Sequence, residues 1–340
     1  MPSSLLPHLQ KYLRSSPQTP SRQVMRSPSY DEQAGFDAVE SKFSEATLLE
    51  APMQAFDIPS CTVSENGFTH FMDGIQRSYL LYYQNYVPVY YGYTAAVVRQ
   101  RQKALLSKWQ HQVREALYLP FVEFDSEELN RLRSQQLPLV DTLKLLNSPK
   151  VTSGEEASES QLQVMQECQN ARNAITLTRE RLEAELAETW IQSQTMGWLV
   201  MDGSITISPE SSQHPRIVGL IKSHNTQYFR FPDQQVILNL RQGQRSSAFI
   251  PRGRHPVCSW YLRLRDNTNQ DLYFGLIRVE AALQSSMELQ KQECDRLSAW
   301  IMTERRPLSL PDSRWDKMIY PIRDCEQFLR SQEPSKASFA

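Results

Sequence analysis

The apolar positions of this chain fall into two kinds of run. Alternating or solidly apolar stretches closed by turn residues predict strands, and stretches recurring every three to four residues predict helices. The first strand is predicted over 67–73 and ends in Asp73-Gly74. A tyrosine-rich run follows, from Tyr79 through Tyr82, Tyr83, Tyr86, Tyr90 and Tyr91 to Tyr93, with Asn85 and Pro88 inside it. It predicts a β-hairpin that continues the sheet. From 94 to 118 the positions Ala95, Val98, Leu105, Leu106, Trp109, Val113 and Leu117 predict a helix. A short strand at 121–124 and a helix at 126–132 come next. A polar break at 148–160, with a helix N-cap at Ser153 or Ser158, precedes a long helix reaching about 194. That helix delivers the chain into a second strand with the same ending, Leu199-Val200-Met201-Asp202-Gly203-Ser204. Strands follow at 216–222, 260–265 and 273–280, the last two as a hairpin, then a helix over 281–303 and a final short helix through Leu329.

The N-terminal region changes character. Residues 1–50 predict an arm, with a short opening helix at 5–13, disorder through the Ser, Pro, Gln and Arg-rich stretch to 35, and another short helix over 36–55. The main domain is expected at 51–330, with 95–195 as a mainly helical insertion, and 331–340 as a frayed tail. At 340 residues the chain can bury a large core, and its formal net charge of −1 excludes a globally basic nucleic-acid coat while permitting a local basic groove. The five cysteines carry no CxxC spacing, which argues against structural zinc and suits a reducing cytoplasm. No apolar run reaches membrane-spanning length, so a cytoplasmic, membrane-free protein is expected.

The acids are the candidate chemistry. Asp73 and Asp202 end predicted strands, Glu180 and Glu183 share a face of the helix before Asp202, Glu280 ends the last strand, and Asp324 opens the terminal helix. Carboxylates are the donors that magnesium and manganese prefer, and two-metal phosphodiester cleavage needs several of them converging on ions about 4 Å apart. Each acid also has an ordinary role. Asp-Gly is a common turn, Glu180 and Glu183 sit among Arg179, Arg181, Glu185 and Glu188 as on a solvated helix face, Glu280 fits a strand-end charge, and Asp324 fits an N-cap.

The order of these segments resembles the NurA family of nucleases. The resemblance covers about 65–330 and rests on Phe71-Met72-Asp73-Gly74, Arg179-Glu180-Arg181-Leu182-Glu183, Leu199-Val200-Met201-Asp202-Gly203-Ser204-Ile205, Val218-Gly219-Leu220-Ile221-Lys222-Ser223, Arg278-Val279-Glu280 and Tyr320-Pro321-Ile322-Arg323-Asp324. The chain departs from the family in following Asp73-Gly74 with Ile75-Gln76-Arg77-Ser78, and in carrying an acid at 324 where some members use His. The resemblance implies an RNase H-like mixed β-sheet flanked by helices, an α/β fold with a helical insertion between the two Asp-Gly strands. It implies Asp73, Asp202, Glu183 and Asp324 as ligands of two Mn2+ or Mg2+ ions, with Glu180 and Glu185 as alternatives to Glu183. Lys222 would touch the scissile phosphate or steady hydroxide, and Glu280 would support the site. It further implies single-strand endonuclease and 5′-to-3′ exonuclease activity on single- and double-stranded DNA in end processing and repair, a homodimer, and a hexameric HerA-type ATPase as partner. A catalytically inactive DNA-binding or ATPase-partner module on the same fold is the competing expectation. A restriction-enzyme-like nuclease is disfavoured, because no Asp…Glu-x-Lys strand is present.

Arginines complete the picture. Arg241, Arg245, Arg252 and Arg254 lie in a loop with Gly243 and Gly253 and fit phosphate-backbone contacts, with Arg263 and Arg265 on the strand after it. Arg99, Arg101, Lys103 and Lys108 are expected to form a second basic stretch on a helix.

Overall fold

The computed structural model describes residues 42–103, 105–146, 164–305 and 315–334, together with positions 5, 8, 9, 11 and 22–24. The expected N-cap at Ser153 or Ser158, and most of the opening helix, the arm and the tail, lie outside the described residues.

The strands in chain order are β1 (Arg22–Val24), β2 (Lys42–Phe43), β3 (Ala46–Leu48), β4 (Ala55–Asp57), β5 (Phe68–Gln84), β6 (Val87–Gln102), β7 (Leu105–Leu119), β8 (Leu139–Asp141), β9 (Trp198–Asp202), β10 (Ile217–Ile221), β11 (Thr226–Gln227), β12 (Gln244–Ser246), β13 (Phe249–Pro251), β14 (Cys258–Arg263) and β15 (Leu276–Ala281). The helices are α1 (Ser126–Ser134), α2 (Thr142–Leu146), α3 (Val164–Gln192), α4 (Pro209–Gln213), α5 (Asp233–Leu238), α6 (Met287–Glu304) and α7 (Tyr320–Gln332). All strands except β2 and β11 join one mixed sheet, whose central path runs β3-β13-β14-β15-β10-β9-β5-β6-β7-β8. Within it β5, β6 and β7 are successively antiparallel, while β9 is parallel to both β5 and β10. Among the described residues no helix is long and apolar enough to cross a membrane.

Helices cover both faces of the sheet. Phe71, Ile75 and Tyr79 of β5 pack into the core built with Leu297, Trp300 and Ile301 of α6 and Ile322, Cys325 and Leu329 of α7. Met72 turns the other way, toward Leu182, Leu186 and Trp190 of α3. This is the period-two alternation of a strand buried on both sides.

The tyrosine-rich hairpin is present as β5 and β6, turned by Asn85 and Tyr86, both in the left-handed region at φ 49° and 66°. The helix expected over 94–118 is not. That stretch completes β6 and forms β7, so the segment 95–195 opens with two long strands of the main sheet before its helices begin. Val87 through Val98 of β6 is buried at every position, and the two-sided burial produces a dense apolar pattern that also satisfies a helical spacing. The short helix expected at 36–55 is likewise replaced, where described, by β2, β3 and the start of β4. The strand expected at 121–124 is a single 3-10 turn at Phe121–Glu123.

Candidate functional site

Asp73 sits in the middle of β5, because Ile75-Gln76-Arg77-Ser78 continues the strand to Gln84. Asp202, in contrast, is the last residue of β9. The two strands run parallel with Phe71 opposite Val200 and Met72 opposite Met201, so Asp73 and Asp202, the next residue on each strand, turn to the same face. Leu220 of β10 lies opposite Asp202, and Lys222, two residues on, shares that face. Its ammonium reaches both carboxylate oxygens of Asp202 at 2.8 Å and lies 3.2 Å from Met318 Sδ. Alternation from Phe71 and Val200, both in the core beneath α6 and α7, places these groups on the α7 side of the sheet.

Past Asp202 the sheet is stepped. β9 stops, β5 continues, and among the described residues no strand borders β5 on that side again until β1 meets Tyr82. Glu183 enters this step from α3. It is buried, and a Cβ on Gly74 would stand 2.1 Å from its Oε1. Gly74 is therefore required by the close approach of a carboxylate, not by a turn. Burial pushes Glu183 up to about 7, against the opposing pull of Arg179, whose Nη1 donates to Oε1 at 2.5 Å. Burial also raises Asp73 well above the usual carboxylate range; Asp202 adds to the rise and Lys222 works against it.

The turn after Asp202 is built on the other face. Gly203 has φ +119° and carries the chain over β10, where Gly219 leaves room; a Cβ there would stand 2.5 Å from Gly203 O. Glu280 of β15 lies opposite Gly219 and accepts from Ser204 Oγ at 2.6 Å and Ile205 N at 3.1 Å. Arg278 holds its second oxygen. Glu280 thus grips the turn from the α3 side while Asp202 points to the α7 side.

The remaining acids lie apart from this group. Asp324 on α7 pairs with Arg99 at 2.7 Å. Glu180 is half-exposed near Arg179, and Glu185 pairs with Arg114 at the surface. Glu326, two residues beyond Asp324, is buried between Arg323 and Arg330, and its charge contributes to the raised Asp73. The sequence reading missed Glu326, Gln76 and the role of Arg179. Gln76 was legible only once Asp73-Gly74 was known to lie inside a strand.

The arginines require correction. Arg245 is fully buried, with Nε donating to Asp295 and Nη1 to Glu50, and its guanidinium over Phe56. It is a structural ion-pair centre and has no surface for nucleic acid. Arg263 is also buried, its donors spent on the carbonyls of Leu238, Leu240, Leu272 and Phe274, and buried Arg265 donates to the carbonyl of Arg305. Arg241, Arg252 and Arg254 are exposed, Arg252 beside Glu45. They flank β12 and β13, which rest on β14; β15 and β10 separate that strand from β9 and its acids. Arg99 and Arg101 stand on β6, not a helix, paired with Asp324 and Glu304.

The donor set at the step is carboxylate oxygen from Asp73, Asp202 and Glu183, the ligand chemistry of a hard divalent ion. A cation would relieve the repulsion between the two adjacent aspartates. As the side chains stand, Lys222 and Arg179 hold two of the three, and no group of three Asp, Glu, His or Cys side chains among the described residues is gathered to enclose an ion.

No protein-family model matches the chain, and no curated protein is similar to it in sequence. Among solved structures the chain is similar to the NurA nuclease from Sulfolobus solfataricus. The two are 13% identical, the alignment covers 80% of this chain and 82% of that one, and the TM-score is 0.43.

Proposed function

We propose that this chain is a metal-dependent DNA nuclease on an RNase H-like sheet. The observation that carries the reading is Asp73 and Asp202, each one residue beyond the last paired position of parallel β5 and β9 and close enough for the charge of Asp202 to act on Asp73, with Lys222 next to Asp202. Three antiparallel strands followed by two parallel ones, in the order β7-β6-β5-β9-β10, support the fold part of the reading.

Asp73, Asp202 and Glu183 would hold Mn2+ or Mg2+, and Asp324 would be the donor for a second ion. Bound ions supply an activated water and stabilise the leaving oxygen. The chain's own contribution is positional. β5 and β9 fix the two aspartates, Glu280 fixes the turn behind Asp202, and Lys222, beside Asp202, would offer an ammonium to the scissile phosphate. On this reading the substrates are single- and double-stranded DNA, cut by single-strand endonuclease and 5′-to-3′ exonuclease activity during end processing. A homodimer and a hexameric HerA-type ATPase are the assembly it entails.

A second reading is favoured by one observation: Asp202 and Glu183 already hold resident cations. A non-catalytic DNA-binding or ATPase-partner module would keep them so. Cleavage of end-labelled single- and double-stranded DNA with Mn2+, by the native chain and Asp202→Ala, tests both. Activity lost in the variant supports the nuclease; equal activity in both sinks the assignment; DNA binding without cleavage in either supports the module.

A further inference from the structure

The far edge of the sheet is open. β8 pairs with β7 only at Leu117, Tyr118 and Leu119, and among the described residues no strand borders β7 on that side from Leu105 to Ala116. A bulge at Trp109 interrupts one end of this stretch, and β8 closes the other. Leu117 donates its N–H outward to Pro138 O at 2.9 Å, so by alternation the N–H and C=O groups of His111, Val113 and Glu115 also point outward. Along this edge runs a cleft of about 870 Å3 that wraps both sides of the strand. Its α7 side includes Leu5, Val113 and Pro334, with Glu115 accepting from Tyr91 Oη at 3.1 Å; its α3 side carries Arg114 and Arg181 beside Tyr118. Arg114 pairs with Glu185 at the surface, and Arg181 makes no ion pair among the described residues.

We propose that the free edge of β7 is a docking site for an extended, acidic segment of a partner protein, which joins the sheet as a further strand. Donors and acceptors alternating along an edge match another peptide backbone, whereas a nucleic-acid backbone offers acceptors without the matching donors. An added strand turns successive side chains to opposite sides. One set would enter the wall that holds Arg114 and Arg181, and the other would lie against Val113 and Leu5. The first set meets two cations and one acid, Glu185, which favours carboxylates; the second favours apolar side chains. A second copy of β7 fits less well. Its open stretch carries Gln110, Gln112, Arg114 and Ala116 on the α3 side, so antiparallel self-pairing sets no acid against Arg114. The inference stands apart from the nuclease reading, because β6 separates this edge from β5 and Asp73.

The experiment titrates the full chain into a short labelled peptide alternating valine and glutamate and follows anisotropy. A peptide alternating valine and lysine is the charge control. Two N-methylated forms of the acidic peptide, one on its valines and one on its glutamates, each remove the donors along one edge. The native chain is expected to bind the acidic peptide about tenfold or more tightly than the basic one, with a preference that salt weakens. Arg181→Glu is expected to weaken the acidic peptide about tenfold and to strengthen the basic one, a gain that a merely misfolded variant would not show. One N-methylated form should lose binding and the other keep it, since only one edge of the peptide meets β7. If the acidic peptide does not bind, if both peptides bind equally, or if both N-methylated forms bind like the parent, the inference falls. It falls also if the acidic peptide binds only after residues 335–340 are removed, which makes the chain's own tail the occupant, or only on dilution that splits a dimer, which makes a second copy the occupant.

Discussion

Asp73-Gly74 lies inside a seventeen-residue strand, whereas Asp202-Gly203 closes a five-residue one. The same dipeptide is used for two different properties of glycine. At 74 the missing Cβ makes room for the Glu183 carboxylate; at 203 the φ of +119° makes the turn, and a Cβ there would meet nothing within 4 Å. The acids differ as well. Asp73 is buried and carries a strongly raised pKa, while Asp202 is partly exposed and held by Lys222. One aspartate is shaped by its neighbours' bulk and the other by a partner charge. Together they show that a repeated motif is not a repeated structure.

Four experiments sharpen or break this contrast. The largest effect belongs to the aspartates. Asp202→Ala and Asp73→Asn are each expected to lower Mn2+-dependent cleavage by roughly a hundredfold or more, beyond what loss of a supporting residue costs. Their stabilities should diverge: Asp73→Asn removes a buried acid and raises the metal-free melting temperature, while Asp202→Ala strands the Lys222 charge and lowers it. Matching shifts would erase the distinction. Next comes Gly74→Ala, which must push Glu183 aside and is expected to cost about 1–3 kcal/mol in denaturant unfolding, together with much of the Mn2+ affinity. Gly203→Ala meets only backbone strain, about 1–2 kcal/mol, and should spare Mn2+ affinity by comparison. The smallest effect is in pH. Glu183 rises from its ordinary 4.5 to about 7, so between those values the folded chain keeps a proton that the unfolded chain has released. Its stabilising contribution is complete below about pH 4.5 and is lost as pH rises through 7. The metal-free melting temperature should fall across that window, and Glu183→Gln should flatten the fall.

Much of the sheet was legible in the sequence, for reasons that particular residues make clear. The hairpin could be read because Asn85 breaks a run of tyrosines, and β10, β14 and β15 because compact apolar runs meet turn residues. The continuation of β6 into β7 was not legible. Ala95, Val98, Trp109 and Val113 fit a helix as well as a strand when a strand is buried on both faces, and only pairing with β5 decides it. Asp202 and Lys222 could be placed near one another from adjacent strand ends, since both lie at boundaries that sequence marks. Arg245 could not be placed. A charged residue in a glycine-containing loop reads as exposed, and its partners Glu50 and Asp295 are distant in sequence. Burial of an ion pair is a tertiary fact with no local signature.

The step where β9 stops beside β5 makes spacing, as much as residue type, a condition of the site. Because successive residues of a strand face opposite ways, one residue inserted or removed between the pairing of Phe71 with Val200 and the end at Asp202 would send that carboxylate to the α3 face. Asp73 would stay where it is. The hydrophobic residues of β9 can be exchanged for others of similar size, yet the distance counted along them cannot change by one. The site therefore tolerates substitution in its framework far better than it tolerates a change of length.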